Sequence, residues 1–468
     1  MSKKVVVVGS GSGGLTAAIG LSKVGYQVTL IEKDHIGGDC TNYGCIPSKA
    51  LLYRAHRLHN SYETFDYIKD LEKTFQKKAN EALQQVKDVV KSFQKHESPQ
   101  WVQSFGIKLV IGEAKFLSAN SVIVGQQIFK FDKCVIATGS TTYIPTIKGI
   151  KDTPFLTNTN IFNLKQVPKH LTMIGNGPIG IELGEAFACL GSQVTVIGNS
   201  NTILNKSDLT SSTKLKKYLE QKKIQFKTAH TKRIDYKANQ FSLEFEDGSS
   251  LKTEQLLIAT GRQPNVDLDL QSAGIDFSHK GILVDKYTRT SNKDVYAIGD
   301  VVSGVPNFTH YAYHMGKTVV TNLTIQKYTQ LPIHFAKYSL NLVPSITFTS
   351  LELAEAGYNE QDAIAKFGEK AIATYILNFD DVDRTITHNH EEGHIKLITK
   401  GFFGKIIGVS ILSTRAGEIL PEIQTMIANK KNILFLNKLI RAYPSYTSSL
   451  DNLFKEWIFR KIPKKNRL

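Results

Sequence analysis

Short apolar runs alternate with glycine-rich loops and helical stretches at the start of the chain. Residues 5–8 form an apolar run of strand length, residues 15–24 have a helix-forming composition, and residues 26–31 form a second apolar run. The order strand, helix, strand is typical of a parallel α/β sheet. The same order returns with a strand at 170–174, a helix to about residue 190 and a strand at 193–197. The pattern therefore predicts two copies of one β-α-β unit.

The pattern changes beyond residue 330. Apolar runs predict strands at 343–349, 371–377, 395–399 and 406–412, and helical stretches follow at 418–429 and 437–440. Strands followed by helices indicate an α+β domain that closes the chain. Between the two β-α-β units, residues 62–96 form a long charged helical stretch, which we expect to cover the first sheet.

The first β-α-β unit carries the sequence G-x-G-x-x-G at its strand-to-helix turn. Gly9 permits the tight turn, Gly11 lets the backbone approach a pyrophosphate, and Gly14 lets the helix pack closely on the strand. The helix N-terminus then directs its positive dipole end at the phosphates. Glu32 ends the second strand, where a carboxylate can accept a hydrogen bond from a ribose hydroxyl. This unit is therefore predicted to bind a dinucleotide.

The second unit repeats the fingerprint from Gly175 to Gly180. Two dinucleotide sites in one chain indicate two nucleotides, a tightly held flavin and a nicotinamide. Gly198 and the residues after it bring neither an acid for a ribose 2′-hydroxyl nor an arginine for a 2′-phosphate. The sequence therefore leaves the choice between NADH and NADPH open.

Composition and charge narrow the class of protein. The chain has 468 residues, 41% hydrophobic and 21% charged, which excludes a disordered chain and a polytopic membrane protein. Its formal net charge of +16 comes with no nucleic-acid-binding motif, so a lysine-rich solvated surface is the favoured interpretation. The apolar run at the N-terminus is too short for a secretory signal and leads directly into the glycine loop. We expect a cytoplasmic protein without membrane spans or nucleic-acid partners.

The four cysteines fall into two kinds. Cys134 and Cys189 lie in apolar stretches and are predicted to be small buried hydrophobes. Cys40 and Cys45 lie in Gly-Gly-Asp-Cys-x4-Cys-Ile-Pro-Ser-Lys, before a helix predicted at 48–59, and both the helix dipole and Lys49 favour a thiolate at Cys45. Such a pair can form a reducible disulfide. A metal site at these cysteines would need further cysteine or histidine ligands nearby. The other alternative is that the two cysteines are functionally unrelated.

These motifs resemble the class I pyridine nucleotide–disulfide oxidoreductases, a family that includes dihydrolipoamide dehydrogenase, glutathione reductase and mercuric reductase. The Cys40–Cys45 segment is similar to the family's redox centre. Residues 137–140 and 259–262 are similar to its two crossings between nucleotide domains, and residues 295–300 to its second flavin motif. The resemblance covers essentially the whole chain and is nearest to the mercuric-reductase-like branch, although the C-terminal cysteine pair of true mercuric reductases is absent.

The resemblance implies an α/β fold with two Rossmann-like dinucleotide-binding domains, for FAD and NAD(P)H, and a C-terminal α+β dimerisation domain. The implied boundaries are 1–145 and 265–335 for the two parts of the FAD domain, 146–264 for the NAD(P) domain and 336–468 for the dimerisation domain. A homodimer is expected. Electrons would pass from NAD(P)H through FAD to a Cys40–Cys45 disulfide, with Cys45 as the thiolate at the flavin and Cys40 as the thiol that attacks the substrate. Lys49 would lie near the flavin and pair with Glu182.

The residues expected to contact the two cofactors follow the same motifs. They are Gly9, Gly11, Gly14, Glu32, Lys33, Gly38, Lys49, Ala114, Thr138, Gly139, Ser140, Asp300, Thr309, Gly175, Gly177, Pro178, Ile179, Gly180, Gly198, Gly261 and Arg262.

The chain departs from the family near its C-terminus. Members that handle dithiols carry His-Pro-Thr-x-x-Glu, whose histidine is a general base oriented by the glutamate. Here Tyr443 takes the place of the histidine and Ser448 that of the glutamate. A tyrosine with an ordinary pKa of about 10 is a poor base at neutral pH. It can still donate a proton or bind a metal ion or an oxyanion, so we keep Tyr443 among the catalytic candidates.

Five further histidines are candidate ligands. The spacing of His388, His390 and His394 could seat two metal ligands on one strand face, but a polar hairpin turn between 384–387 and 395–399 is the favoured interpretation, and no metal is predicted. His310 and His314 follow the second flavin motif and are expected to pack near the flavin on a helix.

Three functions agree with the sequence. The first is an NAD(P)H-dependent flavoenzyme whose redox disulfide acts on a disulfide, a thiol-bound metal ion or a quinone. The second is a dihydrolipoamide dehydrogenase of a 2-oxoacid dehydrogenase-type complex. The third is a flavin-bearing redox sensor that catalyses no reaction.

Overall fold

The computed structural model describes residues 3–64, 71–340, 342–388 and 392–461. The chain forms two compact units. The first unit comprises Met1–Arg54, Phe65–Val167 and Leu257–Leu340, and the second comprises Ala55–Thr64, Pro168–Leu256 and Asn341–Leu468. The finer division at residues 145, 264 and 335 stays a prediction.

The helices and strands run in chain order as follows. Up to residue 142 they are β1 Lys4–Val8, α1 Ser12–Lys23, β2 Gln27–Glu32, α2 Gly38–Asn42, α3 Cys45–Thr64, α4 Leu71–His96, α5 Pro99–Ser104, β3 Lys108–Ile111, β4 Ala114–Ser118, β5 Ser121–Val124, β6 Gln127–Lys130, β7 Lys133–Ile136 and β8 Ser140–Thr142. From residue 170 to 258 they are β9 His170–Ile174, α6 Pro178–Cys189, β10 Gln193–Gly198, α7 Leu209–Gln221, β11 Gln225–Thr228, β12 Thr231–Lys237, β13 Gln240–Phe245, β14 Ser250–Thr253 and β15 Gln255–Ile258.

The remaining elements complete both units. They are β16 Arg262–Pro264, β17 Phe277–Ser278, β18 Gly281–Ile282, β19 Val295–Ala297, α8 Thr309–Thr329, β20 Ser345–Thr347, β21 Glu352–Gly357, α9 Glu360–Phe367, β22 Ile372–Asn378, α10 Asp383–Ile386, β23 His394–Lys400, β24 Lys405–Ser413, α11 Ala416–Ala428 and α12 Asp451–Lys461. Short 3-10 turns lie at Ile150–Asp152, Ile161–Asn163, Leu270–Ala273, Gly299–Val301, Glu369–Ala371, Phe379–Asp381 and Ile433–Lys438.

A five-stranded parallel sheet with the order β19-β7-β1-β2-β3 forms the centre of the first unit. The valine run of β1 is buried on both faces, as expected for a central strand of a parallel sheet. Val8 pairs with Ile31 on one side and Ile136 on the other, so the carboxyl ends of three strands meet at one edge. The glycine loop and Glu32 lie at this edge, which is where ligands bind in open α/β sheets.

The second unit repeats this arrangement in the sheet β11-β10-β9-β15, with α6 after β9. Its C-terminal part is an antiparallel sheet with the order β20-β21-β24-β23-β22. Helices α11 and α12 supply buried side chains such as Ile423 and Leu453 to the same apolar core as Ile395 and Ile411 of the sheet. The predicted α/β fold with an α+β C-terminal part is confirmed.

The helix predicted at 48–59 is present but longer. It begins at Cys45 and ends at Thr64, because Pro47 is accommodated in the first turn, where backbone N–H groups have no helical partner. Another local prediction was wrong. Residues 384–387 were expected in a strand, but Asp383–Ile386 is a short helix with the hydroxyl of Thr385 bonded to the carbonyl of Val382. The expected hairpin is therefore absent from the described residues around it.

Other differences concern the C-terminal part. Only the end of the 3-10 turn Ile433–Lys438 overlaps the helix expected at 437–440, and β21, α9 and α12 were not predicted. The charged stretch 62–96 divides between α3 and α4, and residues 65–70 lie outside the described residues. Of the basic C-terminal tail only Lys461 is described, as the last residue of α12.

Candidate active site

The first glycine loop has the shape that a pyrophosphate requires. Gly9 has a φ of +98°, and a Cβ there would lie 2.4 Å from the carbonyl oxygen of Ala137. A Cβ on Gly14 would lie 1.9 Å from the carbonyl oxygen of Gly9, which shows how closely α1 approaches β1. A Cβ on Gly11 would meet nothing within 4 Å, so space is open beside the loop at the N-terminus of α1. These are the three separate requirements of a dinucleotide loop.

Glu32 is buried at the end of β2 and is held by the loop itself. Its Oε2 atom accepts hydrogen bonds of 2.7 Å from both the backbone N–H and the hydroxyl of Ser10, and its Oε1 atom accepts one from the N–H of Asp34. A carboxylate has about four lone-pair sites, so capacity remains for a ribose hydroxyl. Lys33 follows in an exposed position, and Gly38 packs against the loop with its Cβ position 2.8 Å from the Cα of Gly11.

Asp300 follows β19 at the carboxyl edge of the same sheet. Its Oδ2 atom accepts a hydrogen bond of 2.8 Å from the hydroxyl of Ser140. Burial raises the pKa of Asp300, while the Ser140 hydrogen bond and the charge of Arg262 act in the opposite direction. The guanidinium of Arg262 donates to both the hydroxyl and the carbonyl of Ser140, at 2.7 and 2.6 Å. The predicted residues Ser140, Arg262 and Asp300 therefore form one hydrogen-bonded group.

Two residues outside the predicted set extend this group toward the cysteines. Asp39 accepts a hydrogen bond of 2.9 Å from Asn158 and pairs with Arg262 at 3.2 Å. Asp39 directly precedes Cys40 in the motif, so the Gly-Gly-Asp-Cys pattern offered a signal for it. Asn158 has no motif around it, and its place was not visible in the sequence. The pair anchors α2, and with it Cys40, to the network of Arg262.

Cys40 and Cys45 come together as two thiols within the first unit. Cys40 lies on the short helix α2, and Cys45 is the first residue of α3. The Sγ atom of Cys45 lies 3.3 Å from the hydroxyl oxygen of Thr309, at the start of α8. The hydrogen bond to Cys45, together with burial, raises the pKa of Cys40. The pair therefore favours a proton on Cys40 and the first negative charge on Cys45, which also has the helix dipole in its favour.

The other predicted residues of the first unit lie around the same sheet edge. Ala114 is buried at the start of β4, and Thr138 and Asn265 exchange two hydrogen bonds of 2.8 Å. Gly139 and Gly261 both have positive φ values and open space at their Cβ positions. Lys49 lies in the second turn of α3, half-buried. Its pairing with Glu182 stays a prediction.

The second glycine loop keeps the shape of the first but changes its chemistry. Gly177 precedes Pro178 at the start of α6, and a Cβ on Gly177 would meet nothing within 4 Å. Ile179 and Gly180 continue the first turn of α6. Ile174 pairs with Ile197 as Val8 pairs with Ile31, so Gly198 occupies the position of Glu32. A Cβ on Gly198 would lie 2.2 Å from the side-chain nitrogen of Asn176, so the Asn176 amide fills the space of the missing acid.

Tyr443 and Ser448 do not form a base and its orienting partner. Tyr443 is 74% exposed, and its hydrogen bond to Asp383 is the main cause that raises the pKa of its phenol. The hydroxyl of Ser448 donates to the carbonyl of Ser445 at 2.7 Å. The raised pKa keeps this exposed phenol protonated at neutral pH.

Glu182 and the candidate histidines each have their own contacts in the structure. Glu182 is buried on α6, and its Oε1 atom accepts the backbone N–H of Phe348 at 3.0 Å. His388 lies 3.1 Å from the hydroxyl of Tyr446, and His394 lies 2.8 Å from the hydroxyl of Ser211. His390 lies outside the described residues. His310 and His314 lie on α8 as expected, where His310 stacks on Phe308.

Comparison with known proteins identifies the family. The family model described as pyridine nucleotide-disulphide oxidoreductase matches residues 3–316, and the model of its dimerisation domain matches residues 343–454. The chain therefore belongs to the pyridine nucleotide–disulphide oxidoreductases, a family of enzymes that use FAD and NAD(P)H. No helix in the described part of the chain has the length and apolar character of a bilayer span.

Individual relatives have different activities. The chain is 32% identical over 421 residues to a mercuric reductase of Bacillus cereus, covering 89% of this chain but only 65% of that protein. It is 32% identical over 454 residues to a dihydrolipoyl dehydrogenase of Staphylococcus aureus, covering 94% of this chain and 93% of that protein. The Cu(II) complex of the HOCl-induced flavoprotein disulfide reductase RclA from Escherichia coli has a TM-score of 0.84 at 27% identity, covering 96% and 99% of the two chains. These relatives therefore leave the electron acceptor of this protein open.

Proposed function

We propose that the protein transfers electrons from NAD(P)H, by way of bound FAD and the Cys40–Cys45 pair, to an acceptor whose reduction needs no base at position 443. Such acceptors are a thiol-bound metal ion, a quinone or a reactive disulfide. The proposal rests on the two cysteine thiols of the first unit, where the negative charge is favoured on Cys45, and on the phenol of Tyr443 in the second unit, whose raised pKa keeps it protonated. The dimer and a cytoplasmic location belong to the same proposal.

The cofactor residues support it. FAD, when bound, accepts a hydride from NAD(P)H and reduces a disulfide by two electrons. The glycine loop and Glu32 would hold its adenosine diphosphate half, and Asp300 its ribityl chain. The residues from Gly175 to Gly180, with Gly198, would hold the nicotinamide nucleotide. The proposed roles of Lys49 and Glu182 come from the family resemblance.

The surroundings of the two thiols favour different roles for Cys40 and Cys45. Cys45 has the hydroxyl of Thr309 at 3.3 Å and the first turn of α3 to stabilise a negative charge on Sγ. The raised pKa of Cys40 keeps a proton on its Sγ while Cys45 carries that charge. Cys40 is then the thiol that meets the acceptor, and it loses its proton only as it bonds to a disulfide sulfur or a metal ion. The anchoring of Asp39 by Asn158 and Arg262 holds α2 in place during this exchange.

Position 443 decides which substrates are handled well. A dihydrolipoyl substrate must lose a proton before it attacks a disulfide, and a positioned base contributes about 10²–10⁴-fold to such a step. The Tyr443 phenol has a raised pKa because it donates to Asp383, so it accepts no proton at neutral pH. A thiol-bound metal ion accepts electrons, and a quinone accepts electrons together with protons from solvent. Neither acceptor has to lose a proton first, so for these acceptors the missing base is no obstacle.

The test is a panel of acceptors assayed with both NADH and NADPH on the FAD-loaded protein. The panel contains glutathione-bound Hg²⁺, Cu²⁺ in thiol-free buffer, menadione, an aromatic disulfide, and dihydrolipoamide with NAD⁺. We expect turnover with at least one metal or quinone acceptor to exceed dihydrolipoamide oxidation by about 100-fold or more at pH 7. Dihydrolipoamide as the fastest substrate would reject the proposal, and a reversible disulfide without turnover of any acceptor would indicate a redox sensor.

Dihydrolipoamide dehydrogenase is the second candidate because of one observation. The chain covers 93% of the Staphylococcus aureus dihydrolipoyl dehydrogenase but 65% of the Bacillus cereus mercuric reductase, although both are 32% identical to it. This function would require another group to replace the base. The pH dependence of dihydrolipoamide oxidation distinguishes the two candidates, since a positioned base gives a plateau above its own pKa near neutrality, whereas a substrate deprotonated by solvent gives a rate that keeps rising.

The nucleotide preference gives a testable prediction at the second glycine loop. We expect the double variant Asn176→Ser with Gly198→Glu to reproduce the Ser10–Glu32 arrangement of the first loop. The new carboxylate would accept the ribose 2′-hydroxyl of NADH and repel the 2′-phosphate of NADPH. The ratio of kcat/KM for NADH to that for NADPH should rise by about 10- to 100-fold, from one charged hydrogen bond of roughly 1.5–3 kcal/mol. An unchanged ratio in a folded, FAD-loaded protein would contradict this account.

The matched control is Gly198→Glu alone. Its Cβ would lie 2.2 Å from the Asn176 side chain, so the single variant has to displace that amide from its hydrogen bond to the carbonyl of Thr202. We therefore expect it to weaken binding of both nucleotides without the change in preference.

A further inference from the structure

A thiol, an imidazole and a carboxylate meet inside the second unit, on residues to which the proposed function assigns no role. Glu185 and Cys189 lie one turn apart on α6, and His56 lies on the part of α3 that belongs to this unit. The ligand atoms of the three side chains all lie within 4.8 Å of one another. Glu185 is fully buried and Cys189 is 3% exposed, whereas the side chain of His56 is 21% exposed and gives access from solvent.

We propose that His56 Nε2, Glu185 Oε2 and Cys189 Sγ form a binding site for a borderline-soft divalent metal ion, with Zn²⁺ as the best match. The inference does not depend on the proposed function. Thiolate and imidazole ligands select zinc-class ions over Mg²⁺ and Ca²⁺, which prefer oxygen. Three protein ligands leave the fourth tetrahedral position open on the side where His56 meets solvent.

The distances suit tetrahedral coordination. Bonds of about 2.0–2.3 Å from zinc to nitrogen, oxygen and sulfur place neighbouring donors about 3.3–3.6 Å apart. His56 Nε2 and Glu185 Oε2 lie 3.1 Å apart, close to that separation before any ion binds. Since the ligand atoms lie within 4.8 Å of one another, the Cys189 sulfur has to approach by about 1.2–1.5 Å at most, which a side-chain rotation can supply.

Ser350 orients the Glu185 carboxylate, as outer hydrogen-bond partners orient metal ligands. Glu185 accepts the backbone N–H of Ser350 at 2.8 Å and also the hydroxyl of Ser350. Burial opposes ionisation of Glu185, but the hydrogen bond and charge of His56, together with Ser350, lower the pKa of this carboxyl. Outer partners of this kind fix the orientation of ligands, and their loss typically costs 10- to 100-fold in metal affinity.

The charges around the site affect its affinity for a metal ion. A thiolate, a carboxylate and a neutral imidazole balance the two charges of Zn²⁺. Burial opposes the charge on Lys222, but the phenol of Tyr218, followed by Cys189 and Glu185, raises the pKa of Lys222, so its ammonium group lies within electrostatic reach of both ligands. Lys222 thus opposes a bound cation. Binding releases the thiol proton, and the imidazolium proton where His56 is charged, so affinity must increase with pH.

The experiment uses the full-length, FAD-loaded protein with Cys40→Ser and Cys45→Ser, which removes the redox thiols as competing ligands. Titration with Co²⁺ should give the red visible bands of a tetrahedral thiolate site, beyond the absorption of oxidised flavin. Added Zn²⁺ should abolish them at one equivalent. In this background, Cys189→Ser keeps nearly the same volume and should lose the bands and about 100-fold in Zn²⁺ affinity.

The controls separate this site from other thiols and from unfolding. Cys134→Ser changes a buried cysteine of the first unit and should leave the bands unaltered. Lys222→Met should tighten Zn²⁺ binding by roughly 10-fold, because it removes a like charge. Absence of the bands in the parent background, or bands that persist in Cys189→Ser, would overturn the proposal, and weaker binding in a folded Lys222→Met protein would contradict the placement of the ion.

Discussion

Cys45→Ser should abolish the long-wavelength absorbance band that appears when NADH reduces the FAD-loaded protein by two electrons. The band comes from a thiolate in contact with oxidised flavin, and the structure favours the first negative charge on Cys45, beside Thr309 and at the start of α3. Reduction of disulfide and thiol-bound metal acceptors should fall by roughly 10³-fold or more, since the loss of one member disables a pair that acts as a unit.

Cys40→Ser is the matched variant with a different expected spectrum. Without Cys40 no disulfide can form, so the Cys45 thiolate is present at once and the band should appear without any reductant. Cys134→Ser, which changes a fully buried thiol on β7, should behave as the unaltered protein. Loss of the band in Cys40→Ser alone would reverse the assignment of the two thiols.

The double variant Tyr443→His with Ser448→Glu should raise dihydrolipoamide oxidation by about 10²-fold or more at pH 7. In the unaltered protein the Tyr443 phenol donates to Asp383, which raises its pKa, so almost no phenolate exists at neutral pH to accept a proton. Turnover should then increase with pH as solvent deprotonates the dithiol. Quinone reduction should not improve in the variant, because that reaction needs no base.

Two outcomes would count against this view. Fast dihydrolipoamide oxidation by the unaltered protein, independent of pH, would mean that another group supplies the base. The single variant Tyr443→Phe serves as the control for the phenol itself, since it keeps the ring and removes the proton that Asp383 accepts. We expect it to leave dihydrolipoamide oxidation as slow as before.

The motifs that the sequence revealed are those whose chemistry lies in consecutive residues. The glycine loops need particular residues within one turn, so Gly9, Gly11 and Gly14 could be assigned requirements that the structure then displayed at each position. The contacts between distant segments were not visible. Asn158 reaches Asp39 although no motif surrounds it, and Asn176, a variable position of the second glycine loop, fills the space beside Gly198.

The predicted helices and strands were wrong where the local preference for one secondary structure was weak. The Thr-Ile-Thr stretch at 385–387 has a strand-like composition, yet the hydroxyl of Thr385 bonds within a short turn and the segment is helical through residue 386. Cys189 was predicted to be a small buried residue, and it is one. That His56 lies beside it could not be predicted, because the two residues belong to different helices far apart in the chain.

The α/β class, the two glycine loops, the cysteine motif and the tyrosine at position 443 could all be recognised from the amino-acid sequence, because each is encoded within a few successive residues or in a local hydrophobic period. The sharing of protons and charge between side chains became visible in the folded chain. The tertiary structure joined Ser140, Arg262, Asp39 and Asn158 into one network and bound the Tyr443 phenol to Asp383. Such pairings depend on the crossing of segments far apart in the chain, where direction and distance are set by packing rather than by sequence spacing.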